Sequence, residues 1–214
     1  MPKSLFLFAV LYGGMTCIAG VLGNKQVALP GGLAVEAGIF AFLMLVVLSS
    51  AVAEIHGRIE ANRLVRYGFV PLIVSMLLIL VVLSLPAAPA MEAERLSSFQ
   101  LVLGQSPRLM LAGIIAYGVS QWLNVGLFSA LRGTGAGRLL WLRAAVASIL
   151  SQIVDTLLFI TIAFVGVFPI QDLLLGQALA KVVLSAVVVP PLIYLLVGWG
   201  RRLDARAGAD AERA

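Results

Sequence analysis

An all-α polytopic membrane bundle, with about six transmembrane helices, is the fold class predicted by three observations. The 214-residue chain is 61% hydrophobic and only 12% charged, with a mean hydropathy of +1.06, far from the composition of a soluble globular domain. Apolar runs of about 20 residues recur along it, each enough for a hydrocarbon core roughly 30 Å thick. The strict apolar/polar alternation of membrane-spanning strands is absent, which selects helices over a barrel.

Six spans can be marked off: 4–22, 33–53, 67–85, 109–131, 141–168 and 173–199. The first follows Lys3 and has the look of a signal peptide, but five further spans follow it and an even total agrees with the charge bias given below. The second carries Glu36 near its start and Glu54 with His56 near its end, close enough to an interface for solvated or salt-bridged roles to be favoured over a proton relay. Between the third and fourth lies the longest polar segment, 86–107, a candidate outside lid or a connector, and read as a connector. Gly13, Gly14, Gly118, Gly126, Pro190 and Pro191 interrupt the spans, as close helix packing or kinks require. Residues 1–200 form a single transmembrane domain, and 201–214 a short polar tail.

The charge distribution sets the orientation. Lys3, Arg58, Arg63, Arg66, Arg132, Arg138, Arg143, Arg201, Arg202, Arg206 and Arg213 fall on one side and Lys25, Arg95 and Arg108 on the other, 11 against 3, with Lys181 inside a span. Basic residues favour the cytoplasm, so both termini are expected there. The net charge of +5 is thereby accounted for without nucleic acid.

Several chemistries are disfavoured. No GxxxxGK[ST] phosphate loop occurs, so energy for any transport must come from a gradient or a partner. Cys17 is the lone cysteine and reads as a small packing residue, and His56 is the lone histidine. A disulfide framework, a zinc site or a histidine-based triad therefore has no support, and neither an enzyme, a metal nor a cofactor is expected.

The sharpest signal is SQIVDTLLF at 151–159, which sets Asp155 deep in an apolar run. A carboxylate there is costly and marks a candidate functional position. Ser148, Gln152, Asp155/Thr156 and Phe159 step by three or four residues and share one helix face. SQWLNVGLF at 120–128 echoes this block at a constant offset of 31, placing Gln121, Asn124 and Phe128 on one face as well. If consecutive spans run antiparallel, the two stripes face each other and line a pocket. Counting 1.5 Å per residue from the outer connection puts Lys181 about 15 Å deep and Asp155 about 20 Å deep, a difference that a lysine side chain bridges. Such a pair either neutralises itself as helix glue or also holds a polar solute. Asn24 and Lys25, at the end of the first span, either cap it or border the pocket.

These pieces resemble the queuosine precursor transporter family, also called the vitamin uptake transporter family. The resemblance rests on Asn24 in GNKQVALP, the Glu54/Gly57 end of the second span with its basic residues, the 121–132 segment, SQIVDTLLF, and Lys181 in ALAKVVLS. It covers most of the chain and implies a small bacterial inner (plasma) membrane importer of 7-cyano- or 7-aminomethyl-7-deazaguanine, acting by facilitated or secondary transport. Its partners would be a purine-like small molecule and the lipid bilayer, with room for a homo-oligomer. The substrate-binding set expected is Asp155, Gln152, Gln121, Asn124, Lys181, Thr156, Phe159, Phe128 and Asn24. Asp155 would accept from the ring N–H and exocyclic amine, Lys181 or an amide would donate to the carbonyl, and Phe128, Phe159 or Trp122 would stack on the ring. The chain departs from the family pattern where Ser49 and Ser50 replace a Thr-Asp pair and Asn124 replaces Asp, removing two carboxylates through which protons would couple. Alternatives are a substrate-binding membrane subunit of an ATP-driven vitamin importer, a carrier of a different purine-like or vitamin solute, and a membrane enzyme or structural protein.

Overall fold

The computed structural model describes residues 2–130, 140–167 and 169–211, with side-chain surroundings for all of these except 121, 122, 124–130, 140–148, 186 and 207–211. Seven helices and one small hairpin follow in the order α1 (Lys3–Leu22), β1 (Gln26–Ala28), β2 (Ala34–Glu36), α2 (Gly38–His56), α3 (Arg58–Ser84), α4 (Ala93–Ala130), α5 (Leu140–Phe164), α6 (Gln171–Val187) and α7 (Val189–Ala211). Among the described residues α1, α2, α3 and the Ala93–Ser120 part of α4 are each long and apolar enough to cross a membrane, and α6 with α7 makes a fifth if taken as one bent span. An apolar stretch over Ile149–Phe164 completes α5. This is the all-α polytopic bundle that hydropathy predicts.

Helix boundaries differ from the sequence reading, α3 starting at Arg58 rather than Tyr67 and α5 ending at Phe164 rather than Phe168, and three further differences have a physical reason. The second span begins at Gly38 because Pro30, Gly31 and Gly32 reverse the chain, with φ of 80° and 78° at the two glycines, and fold Gln26–Ala28 antiparallel onto Ala34–Glu36. Only glycine adopts that left-handed backbone without strain. The segment 86–107 is no mere connector: α4 starts at Ala93, since its polar residues oppose membrane burial and not helix formation. The sixth span is broken, Gln171–Ser185 and Val189–Arg206 being inclined by 46°. Pro190 and Pro191 lack the N–H groups that would continue the first helix, yet fit the opening turn of the second.

Two packed groups flank the centre. In one, α1 buries every fourth residue, Ser4, Phe8, Tyr12, Thr16 and Gly20, and Phe8 and Tyr12 meet Leu48 and Val52 of α2, Leu64 of α3 and Val197 of α7. Apolar tails offer no hydrophobic drive between helices in lipid, so close fit matters most. Gly68 of α3 takes the Tyr12 ring against its backbone, and a Cβ there would collide with it. The other group joins Leu109 and Ala112 of α4, Ile160, Ala163 and Phe164 of α5 and Leu173 of α6. Its α5 end is closed by α4: Arg108 donates to the carbonyls of Ile162 (2.6 Å) and Val165 (2.8 Å), and Gln105 to that of Ala163 (2.6 Å), satisfying groups that a helix end leaves open. Val35 of the hairpin, Ile39 and Ala180 bridge the groups, and Gly176 of α6 lies so close to Ala34 that a Cβ would strike its backbone carbonyl. Outward-facing Val70, Ile73, Val74, Leu77, Leu78 and Val81 give α3 an apolar face suited to lipid. Cys17, half-buried, donates weakly to the Pro71 carbonyl at 3.5 Å, a packing position as its isolation predicts.

Candidate functional site

Between the two groups lies a cavity of about 410 Å³. From α5 it receives Ser151, Gln152, Asp155 and Phe159, from α6 Gln177, Lys181 and Ser185, and from α4 Tyr117 and Ser120. A helix presents positions three and four apart on one face, so the spacing of 152, 155 and 159 delivers all three side chains to the same wall.

The Asp155 and Lys181 pair allowed by helix depth is formed. Lys181 Nζ stands 2.8 Å from Asp155 Oδ2 and donates to Thr156 Oγ1 at 3.1 Å, the two charged side chains being 11% and 17% exposed. Thr156 in turn donates to the Gln152 carbonyl (3.0 Å), so it fixes Lys181 and is not itself part of the cavity lining. Ser120 Oγ donates to Asp155 Oδ1 at 3.4 Å, which brings α4 against α5 at the two echoing motifs. The Phe42 ring of α2 lies under the ammonium, 5.3 Å from its centroid, within cation–π range.

Glu36 is a second cavity carboxylate, and its position corrects the solvated or salt-bridged role expected from its place near a span end. It is 4% exposed, accepts from the Gly38 N–H (2.6 Å) and from Gln177 Nε2 (3.0 Å), and lines the same cavity. Hydropathy alone put it at an interface; the hairpin folds it inward. Glu54 behaves as expected, in an exposed pair with Arg201 at 3.2 Å. Asp204 accepts from the Ser4 hydroxyl (2.6 Å) and amide (2.9 Å), and with the hydroxyl proton so used His56 Nε2 donates to Ser4 Oγ at 2.7 Å, tying together the ends of α1, α2 and α7.

Of the residues singled out from sequence, Asp155, Gln152, Lys181 and Phe159 meet at the cavity, with Thr156 behind Lys181. Asn24 sits elsewhere: its amide donates to the carbonyls of Gly20 (3.2 Å) and Val21 (3.1 Å) and to Ser106 Oγ (3.0 Å), capping α1 and pinning it to α4. The side chains of Gln121, Trp122, Asn124 and Phe128 lie outside the described residues. Sequence reasoning passed over Tyr12, Thr16, Phe42 and Phe69, which line the cavity from α1, α2 and α3 together with Ser49, noted from sequence only as a departure from the family pattern. Tyr12 and Thr16 were visible as an i, i+4 pair on a glycine-rich helix, and Gln177 as the polar residue four before Lys181; aromatic residues in apolar runs give no such sign. Among the described residues no group of three His, Cys, Asp or Glu side chains is placed to hold a metal.

The cavity thus offers an ion pair, amide and hydroxyl groups, and aromatic walls, the mix of apolar lining and a few placed polar groups common to small-molecule sites. A family model described as "Putative vitamin uptake transporter" matches residues 36–196. A "Probable queuosine precursor transporter" of Bacillus subtilis (strain 168) is 30% identical over 141 residues, 64% of this chain and 61% of that protein. The alignment therefore spans about three-fifths of that relative's length. No solved structure matches the chain. The matched region runs from Glu36 through α2–α6 into α7 and contains both cavity carboxylates with Gln177 and Lys181. Apolar spans and family match together make this a multi-pass membrane protein, and the chain belongs to the vitamin uptake transporter family.

Proposed function

We propose that this transporter imports a queuosine precursor, 7-cyano- or 7-aminomethyl-7-deazaguanine, across the bacterial inner membrane with both termini in the cytoplasm. The observation that carries the reading is the Asp155–Lys181 pair, held at 2.8 Å on the wall of a cavity of about 410 Å³. A deazaguanine presents a ring N–H and an exocyclic amine side by side next to a carbonyl. Asp155 accepts from the first two, and Lys181, released from it, or Gln152 donates to the third. Phe159, Phe42 and Phe69 supply ring faces for stacking. The substrate replaces one charge-assisted partner by another, so the carboxylate is never left bare in a dry site; solutes lacking both donors are rejected by about 10²-fold or more. Alternating exposure of this central site completes the cycle, driven by the solute gradient, a coupling ion or a partner protein.

The test is the queuosine content of tRNA in a bacterial strain that can neither make nor import the precursor, carrying this gene and fed nanomolar 7-cyano-7-deazaguanine or 7-aminomethyl-7-deazaguanine. Restoration by the native chain and its loss in Asp155→Asn supports the reading. Absence of restoration with either base, when the protein is in the membrane, removes it.

A further inference from the structure

The cavity has a second polar end that the ion pair does not explain. Glu36 is 4% exposed and its two oxygens accept only from neutral donors, the Gly38 amide and the Gln177 side chain. Among the described residues no Lys, Arg or His stands at ion-pair distance from it, Lys181 being engaged with Asp155. Gln177 is 2% exposed, and its Oε1 is buried without a hydrogen-bond partner. Another buried unpartnered atom, Nε2 of Gln26, belongs to the residue paired with Glu36 across the hairpin and is not part of the cavity lining. At the cavity, then, a carboxylate with no ion-pair partner, Lys181 acting on it only from beyond contact, adjoins an amide oxygen lacking a donor. The amide oxygen has no donor and each carboxylate oxygen has only one, neutral, donor, and a buried acceptor short of donors is costly.

We infer that Glu36 and Gln177 form a cation-accepting subsite that takes a protonated amine carried by the transported solute. Gln177 and Lys181 are one helical turn apart on α6, about 6 Å along its axis, so the subsite and the Asp155–Lys181 pair stand at a separation that a bicyclic base with a one-carbon arm spans. An aliphatic ammonium, ionised at neutral pH, donates three hydrogen bonds and brings the missing charge. A nitrile brings neither, and turns the lone pair on its nitrogen toward a carboxylate. Resting on the deazaguanine reading for the identity of the base, the inference therefore makes the 7-aminomethyl compound the favoured substrate and the 7-cyano compound the poorer one.

The experiment measures KM for uptake of both compounds by the full chain, its Glu36→Gln variant and its Gln177→Met variant, each with its amount in the membrane quantified. The native chain is expected to prefer the amine by about 10- to 100-fold, the range for one charge-assisted hydrogen-bond set. Glu36→Gln, which keeps the shape and an acceptor for Gly38, should erase most of that ratio, and Gln177→Met should reduce it several-fold. An unchanged ratio in Glu36→Gln, or a native chain that prefers the nitrile, overturns the subsite. So does an equal rise of both KM values, which would give Glu36 a role in the fold or in ion coupling.

A second arm works without the base. Melting of the purified native chain and of both variants is followed in benzylamine and in benzonitrile. Stabilisation by the amine alone, lost in Glu36→Gln, supports the subsite even if neither deazaguanine is carried, in which case it is the proposed substrate that fails. Equal response to both probes overturns the subsite whatever the uptake result. Should Glu36→Gln not reach the membrane, Gln177→Met decides: loss of the amine-specific response supports the inference and its retention overturns it.

Discussion

Two carboxylates line one cavity and are accommodated by opposite means. Asp155 is held by a full cation, Lys181, with Thr156 and Ser120 completing its surroundings. Glu36 is more deeply buried yet meets only an amide side chain and a backbone N–H. A charge matched by a charge is stable as it stands and exchanges one partner for another when a solute arrives; a charge matched by dipoles is incompletely compensated and gains from any cationic donor. One cavity therefore holds a carboxylate in an ion pair and a carboxylate held by neutral donors alone.

The largest effect that tests this contrast is on uptake. Asp155→Asn keeps shape but loses the charge that Lys181 and the two solute donors share, and is expected to lower precursor uptake by at least about 100-fold, read as tRNA queuosine, with normal amounts of protein in the membrane. Uptake within a few-fold of native would place Asp155 outside the site and leave its pair with Lys181 as helix glue.

Next in size is the loss of the cation. Lys181→Met makes Asp155 resemble Glu36 but leaves it, among the described residues, only the long Ser120 hydroxyl contact, and should destabilise the protein by about 3–5 kcal/mol, the range for stripping one partner from a buried pair. Adding Asp155→Asn should return much of that, because a neutral pair has no stranded charge. Thermal unfolding of the single and double variants in detergent checks both statements, and equal stability of the two would count against a desolvated pair.

Gln177→Met asks the same of Glu36. It removes one neutral donor and the orphaned oxygen together, so a smaller loss of about 1–3 kcal/mol is expected. A loss as large as that of Lys181→Met would mean that the neutral donors hold Glu36 as tightly as the lysine holds Asp155. At the low end stands Glu54→Ala. Its pair with Arg201 is 62% exposed on both sides, and removing it should change stability by less than about 0.5 kcal/mol in the same melting assay.

The difference between the carboxylates also explains what could be read from sequence. Asp155 and Lys181 interrupt long apolar runs, and hydropathy with helical rise brings them to similar depth without knowledge of the fold. Glu36 stands at the edge of a run, where the same reasoning assigns it to water; only the reversal at Pro30–Gly32, which hydropathy does not register, turns it inward. The polar start of α4 was missed for a related cause, since helix formation and membrane burial are separate properties that a hydropathy reading merges. Asn24 gave a correct location at the end of α1, but its carbonyl and Ser106 partners are fixed by the approach of α4, a tertiary fact.

The break after α6 has a mechanical meaning. Gln177 and Lys181 ride on the shorter half of the last crossing, while the half running out to Asp204 and its clasp on Ser4 carries neither. Gly176 seats that shorter half directly on the hairpin backbone at Ala34, so the hairpin packs against the turn that carries Gln177. Under the proposed function, a solute held between α5 and this shorter half would lie across the break, away from the clasped ends of α1, α2 and α7.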